Sequence, residues 1–254
     1  MKIAFTGKGG VGKTTLASLF IQTLSSDGKE ILAVDCDPDS NLARALGFEN
    51  ADRITPIAHM EDVIQERMGI ESGNKSFFKL NPKIDDIPDK FSVSKGNIKL
   101  IVMGAVEQGG EGCMCPESAF IKTLLGHLVL KRNEHLVMDM EAGLEHFGRG
   151  TASSCDFVLV VVEPSVNSVE TAKKIAGFAK DIGIKKIYAI GNKVRSKGDA
   201  DFMKRELKNI QLIETIEFDK SFLEWGRGSS IPVIPKEITK RFGNIKRILE
   251  EDLN

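Results

Sequence analysis

Gly7-Lys8-Gly9-Gly10-Val11-Gly12-Lys13-Thr14-Thr15 sets glycine, four residues, glycine, lysine and threonine in the spacing of a phosphate loop, directly after the apolar run Ile3-Ala4-Phe5. Glycines let the main chain close around a polyphosphate where a side chain would meet oxygen or forbid the needed φ. Successive N–H groups then turn inward as an anion nest, and the helix that begins near Lys13 adds the partial positive charge of its first turn. In this arrangement Gly9, Gly10, Val11, Gly12, Lys13, Thr14 and Thr15 line the nucleotide. Lys13 neutralises the β and γ phosphates, and the Thr14 hydroxyl is placed to ligate Mg2+. A plain glycine-rich hairpin is the competing reading, and the strand–loop–helix context speaks against it.

A second constellation is Gly109-Gly110-Glu111-Gly112-Cys113-Met114-Cys115-Pro116. Two thiols one residue apart converge only if the loop bends, and glycines permit that. Pro116 suits the first turn of a following helix, whose positive end favours thiolate over thiol at Cys115. Cys113 and Cys115 supply two soft ligands, suited to Zn2+, Ni2+ or an iron–sulfur cluster and not to Mg2+ or Ca2+. A tetrahedral site takes four ligands, so one chain holds half of it, and a twofold dimer supplies the other half from the same loop. The alternatives are a strained, switchable disulfide or two inert thiols. Cys36 and Cys155 have no partner at ligand spacing and read as small buried residues; His59, His127, His135 and His146 form no paired motif and read as structural.

These residues need a frame, and 254 residues with 41% hydrophobic content suit one α/β domain over 1–254. A net charge of −1 gives no global field toward nucleic acid or an anionic membrane. Apolar runs such as Phe157 to Val162 are too short to span a bilayer, and the phosphate loop occupies the place of a signal peptide's apolar region, so the expected location is cytoplasmic. Four cysteines in a chain this long are not a disulfide framework. Strands are expected at Ile3–Thr6, Glu30–Asp35, Ile98–Met103, His135–Asp139, Phe157–Val162, Lys186–Gly191 and Gln211–Ile216. Helices are expected at Lys13–Ser26, Ser40–Leu46, Met60–Arg67, Glu117–Leu130, Val166–Ile182, Asp199–Lys208, Lys220–Trp225 and Glu237–Glu251. Runs such as Val158-Leu159-Val160-Val161-Val162 lack polar alternation, as in strands covered on both faces. The alternation predicts a mostly parallel, twisted sheet with helices on both faces. Residues 69–96, with Pro82, Pro88 and many charges, read as a surface excursion, with Phe77 and Phe78 as its anchor or as a partner contact.

Lys8, immediately after the first glycine, is more than the basic template requires. The string resembles the deviant phosphate loop of the MinD/ParA/nitrogenase-iron-protein class of ATPases. That resemblance implies a MinD-like fold, ATP hydrolysis and a face-to-face homodimer, in which Lys8 reaches the phosphates of the partner's nucleotide; the alternative for Lys8 is a solvated loop lysine. Val34-Asp35-Cys36-Asp37-Pro38-Asp39-Ser40 resembles the first switch of the class. It implies that Asp37 orients or deprotonates the attacking water and contributes to the Mg2+ site; Asp39 is the fallback, or an N-cap for the helix near Ser40. Val137-Met138-Asp139-Met140-Glu141-Ala142-Gly143 resembles the second switch, with Asp139 holding the Mg2+ hydration shell and Gly143 as a hinge. The tail after Asp139 departs from the usual pattern, which leaves the roles of Glu141 and Glu145 open. Asn192 and Lys193, closing a late strand, match the motif whose Asn reads the adenine edge. Thr215 to Asp219 and Ile231 to Pro235 match the segment that covers the base.

Taken together, the deviant loop and the Cys-x-Cys loop resemble the CooC family, nickel-insertion ATPases that serve carbon monoxide dehydrogenase. The implied function is an ATP-driven metallochaperone that holds Ni2+ or Zn2+ between two subunits and delivers nickel to the apo-enzyme. Neither nucleic acid nor membrane is an expected partner. A MinD-like membrane cycle is the rival, resting on Ile238, Phe242, Ile245 and Leu249 along one face of a basic C-terminal helix. A ParA-like DNA cycle is a second rival, and the near-neutral charge speaks against it.

Overall fold

The computed structural model describes residues 1–70, 78–79, 81–104, 116–131, 135–142, 155–226 and 234–253. The strands are β1 (Lys2–Gly7), β2 (Ile31–Asp35), β3 (Val93–Lys95), β4 (Ile98–Val102), β5 (His135–Asp139), β6 (Phe157–Val162), β7 (Ile187–Val194) and β8 (Gln211–Glu217). They form one eight-stranded sheet in the order β3-β4-β2-β5-β1-β6-β7-β8. The pairings from β4 to β8 are parallel, and only the edge strand β3 runs antiparallel. The helices are α1 (Lys13–Ser26), α2 (Leu42–Ala45), α3 (Glu61–Met68), α4 (Ile87–Phe91), α5 (Pro116–Lys131), α6 (Val166–Asp181), α7 (Lys197–Leu207), α8 (Lys220–Gly226) and α9 (Lys236–Leu253).

The unbroken apolar strands are buried on both faces. All six residues of β6 are buried, and two hydrophobic clusters lie on opposite sides of the sheet. One joins Leu124, Leu128 and Met138 with Val160; the other joins Leu16, Phe20 and Phe5 with Phe157. This is the doubly covered parallel sheet that the alternation predicts, with the carboxyl ends of β1, β2, β5 and β7 opening on one rim.

Three local expectations are revised. The back half of the expected excursion enters the fold: Ile87 of α4 is fully buried, and β3 pairs with β4 from Val93↔Leu100 to Lys95↔Ile98. Phe78 is partly buried against the core, while Phe77 lies outside the described residues. Helix α2 starts at Leu42 and not at Ser40, because Ser40 has φ 42°, which breaks right-handed helix. Helix α7 starts two residues earlier than expected, where Ser196 and Asp199 close a reciprocal capping box.

The C-terminal helix settles against the body. Ile238, Phe242, Ile245 and Leu249 are all buried in the cluster around α1. Its apolar face is therefore spent on the core, which removes the basis of the membrane-surface reading. No helix among the described residues is long and apolar enough to cross a membrane.

Candidate functional site

The phosphate loop leaves β1 at Gly7, where a Cβ would sit 2.4 Å from the Val161 carbonyl oxygen of β6 and the backbone has φ 148°. Only glycine fits that close approach. The loop passes through left-handed Gly10 and Gly12, anchors Val11 in the core, and hands over to α1 at Lys13. Gly9 and Gly10 are exposed with open space around their α-carbons. The N–H groups of Lys13, Thr14 and Thr15 have no main-chain acceptor among the described residues, as the first turn of a helix built for an anion requires.

Lys13 is buried, and its ammonium stands 3.7 Å from Asp37 Oδ2. Asp37 is mostly buried and organises its own segment: its Oδ1 accepts the Asp39 N–H at 3.1 Å, and its carbonyl accepts the Ser40 N–H at 2.9 Å. Asp39 itself is exposed and caps no helix, since α2 begins after Asn41. Of the two candidates, Asp37 alone touches the lysine of the loop. Lys8 is half-buried and makes no ion pair among the described residues.

Two buried carboxyls stand behind this pair. Asp35 and Asp139 end neighbouring strands β2 and β5 and are register partners. Asp35 accepts the N–H groups of Leu42 at 2.9 Å and Asp37 at 3.2 Å. Both oxygens of Asp139 are buried without a hydrogen-bond partner among the described residues. Burial pushes each carboxyl up to about 7. At Asp139 the neighbouring Thr14 hydroxyl pulls the other way without closing a hydrogen bond, and the charge of Asp35 pushes further upward. An orphaned, buried carboxylate beside Thr14 and Lys13 fits a hydrated Mg2+. Among the described residues no three metal-ligating side chains form a ready-made cage.

Sequence reasoning missed Asp35, although it ends its apolar strand just as Asp139 does. It also missed Thr6, whose buried hydroxyl donates to the Glu141 carbonyl at 2.6 Å and ties β1 to the segment after Asp139.

Asn192 and Lys193 reach the loop from the irregular end of β7. The Asn192 amide donates to the Val11 carbonyl at 2.7 Å, and Lys193 donates to the Gly10 carbonyl at 2.6 Å. A cleft of about 160 Å³ lies beside them, lined by Gly12, Thr15, Asn192, Phe218, Asp219 and Phe222. The Arg195 guanidinium stacks on Phe218 at 4.3 Å and stiffens one wall. Pro235 sits immediately before α9, where its carbonyl accepts the Thr239 N–H at 3.1 Å, with no bond to the loop among the described residues.

Cys113 and Cys115 lie outside the described residues, as do Gly143, Glu145, His146 and residues 231–233. Cys36 and Cys155 are both buried, and burial pushes their thiols well up, to about 12 for Cys155. They are inert packing groups, as the sequence suggested. His135 lies beside the N-terminus, its Nδ1 3.3 Å from the Met1 nitrogen.

Residues 2–233 match the CobQ/CobB/MinD/ParA nucleotide binding domain. The chain belongs to the CobQ/CobB/MinD/ParA family. As a member of this family, with the loop geometry described above, it is a P-loop ATPase. The chain is 45% identical over 223 residues to the carbon monoxide dehydrogenase accessory protein CooC of Rhodospirillum rubrum, covering 87% of this chain and 85% of that protein. It is 45% identical over 228 residues to an uncharacterized ATP-binding protein of Methanocaldococcus jannaschii, covering 88% of each. A chain from the MinC:MinD cell division protein complex of Aquifex aeolicus shares the fold with a TM-score of 0.69, at 20% identity over 99% of this chain and 96% of that one.

Proposed function

We propose that this family member is a cytoplasmic, single-domain ATP-hydrolysing metallochaperone. It pairs with a second copy when ATP is bound, holds Ni2+ or Zn2+ between the Cys113 and Cys115 thiolates of both subunits, and assists nickel insertion into carbon monoxide dehydrogenase. The observation that carries this reading is the 45% identity to CooC over 85% of that protein's length, in a chain that has Cys113-Met114-Cys115.

The residues divide the work. Gly9 to Thr15 bind the triphosphate through main-chain N–H groups, and Lys13 neutralises its β and γ oxygens. Thr14 and Asp139, with Asp37 alongside, hold Mg2+, which when bound draws charge from the phosphate oxygens. Asp37 orients the attacking water and takes up its proton. Asp39, exposed and without an ion pair to Lys13 among the described residues, is not needed for that step. Lys8 reaches the partner's nucleotide, so the dimer forms only when both subunits are loaded. Asn192, Lys193 and Pro235 border the base. Hydrolysis removes the γ-phosphate that Lys8 binds, loosens the dimer and weakens the shared thiolate site. Delivery needs differential affinity between the two states, and a tenfold change takes only about 1.4 kcal/mol.

The test is a nickel and zinc titration of the ATP-loaded protein beside its Cys113→Ala and Cys115→Ala variants. Either substitution abolishes tight binding. Retention of the ion by the doubly substituted protein refutes the reading.

A further inference from the structure

A nest of inward N–H groups requires the carbonyls of the same peptide units to turn outward. Two loop carbonyls are held in that way by β7: Gly10 by Lys193 Nζ and Val11 by Asn192 Nδ2. Lys193 has a second anchor, Glu163 Oε2 at 3.0 Å. Glu163 follows the last residue of β6, and its own N–H donates to the hydroxyl of buried Ser168 at 3.1 Å. Lys193 also carries an unusual backbone, φ 58°, in the left-handed region that lysine avoids. From that position its ammonium reaches the loop.

We propose that Glu163 is a positioning residue for ATP binding: it aims Lys193 at the Gly10 carbonyl and so sets the phosphate loop in its anion-binding form. A surface ion pair contributes little to stability by itself, and this one is partly open to solvent on both sides. Its geometry is what distinguishes it. One ammonium bridges a carboxylate on β6's end and the carbonyl of a glycine whose φ is 78°. The bridge ties together segments 30 and 183 residues apart in the chain. Lys193 thus acts on the loop from behind, apart from any contact it makes with the base.

The test uses the full chain and competition titrations with ATP and GTP, alongside thermal midpoints. Lys193→Ala weakens ATP about tenfold, which is about 1.4 kcal/mol. Glu163→Ala weakens it by about two- to fivefold. Both nucleotides lose affinity by the same factor, because the loop and not the base is affected. Glu163→Gln and Lys193→Arg retain most of the affinity, since each keeps the hydrogen bonds. The charge-swapped E163K/K193E protein stays as weak as Lys193→Ala, because a carboxylate at position 193 cannot donate to a carbonyl. Recovery of ATP affinity in the swap would show a simple ion pair and overturn the proposal. So would unchanged affinity in Glu163→Ala, or a loss confined to ATP.

Discussion

Replacing Asp139 with asparagine removes a buried, unpartnered carboxyl from the nucleotide-free protein. The carboxyl is fully buried, and neither oxygen has a hydrogen-bond partner among the described residues. Burial, with the charge of Asp35 behind it, raises its pKa from 3.8 to about 7. Between pH 4 and pH 7 the folded chain therefore holds a proton there that the unfolded chain has released. The stability this gives is complete in acid and is lost as pH rises through 7. From pH 5 to pH 8 the share of Asp139 in that loss is on the order of 3 kcal/mol. Asparagine has nearly the same shape and no charge to bury, so the variant keeps most of that stability. Asp35, whose carboxyl burial raises in the same way, is present in both proteins. Urea unfolding of the nucleotide-free protein at both pH values reads the difference directly. The wild type loses about 3 kcal/mol more than Asp139→Asn over the interval, and addition of MgADP at pH 8 stabilises the wild type more than the variant. Parallel losses in the two proteins would mean that Asp139 is already solvated or paired in the folded chain.

Other expectations are simpler. Lys13→Ala abolishes ATP turnover while circular dichroism stays native, and Asp37→Ala lowers turnover by about a hundredfold or more, whereas Asp39→Ala stays within about twofold. Gly7→Ala places a Cβ 2.4 Å from the Val161 carbonyl, so it forces β1 away from β6; a lowered thermal midpoint and lost nucleotide binding are the readouts. Phe242→Ala empties a site that is 1% exposed and lowers unfolding free energy by about 3–5 kcal/mol without changing the affinity for ATP. An unchanged urea midpoint would mean that α9 is detached from the core in solution.

Much of the frame was legible because its signals are local. Val158 to Val162 reads as a doubly covered strand on composition alone, and the phosphate loop carries its own context in fifteen residues. What escaped was fixed by contacts between distant segments or by side-chain and main-chain hydrogen bonds inside a single turn. Edge strand β3 is three residues long with Ser94 and Lys95 exposed, and only its pairing with β4 makes it a strand. Ser40 ends up left-handed because its N–H and hydroxyl both bond to the Asp37 carbonyl. The start of α7 lies at Lys197, where the Ser196–Asp199 capping box carries Gly198 into the first turn. The amphipathic tail was readable as a helix, but its pattern does not say whether a membrane or α1 covers the apolar face. The bond from Lys193 to the Gly10 carbonyl has no sequence signature, since the two residues lie 183 positions apart.

We propose that one polypeptide carries half of a thiolate coordination sphere and that ATP-driven pairing completes it. Native mass spectrometry of the nickel-titrated protein, loaded with ATP or with ADP, reads both the pairing and the metal count. The predicted species is a dimer with two ATP and a single nickel ion, with little metal on the ADP-bound monomer. A monomer that carries its own nickel with equal tenacity in both nucleotide states would mean that a single chain completes the site by itself.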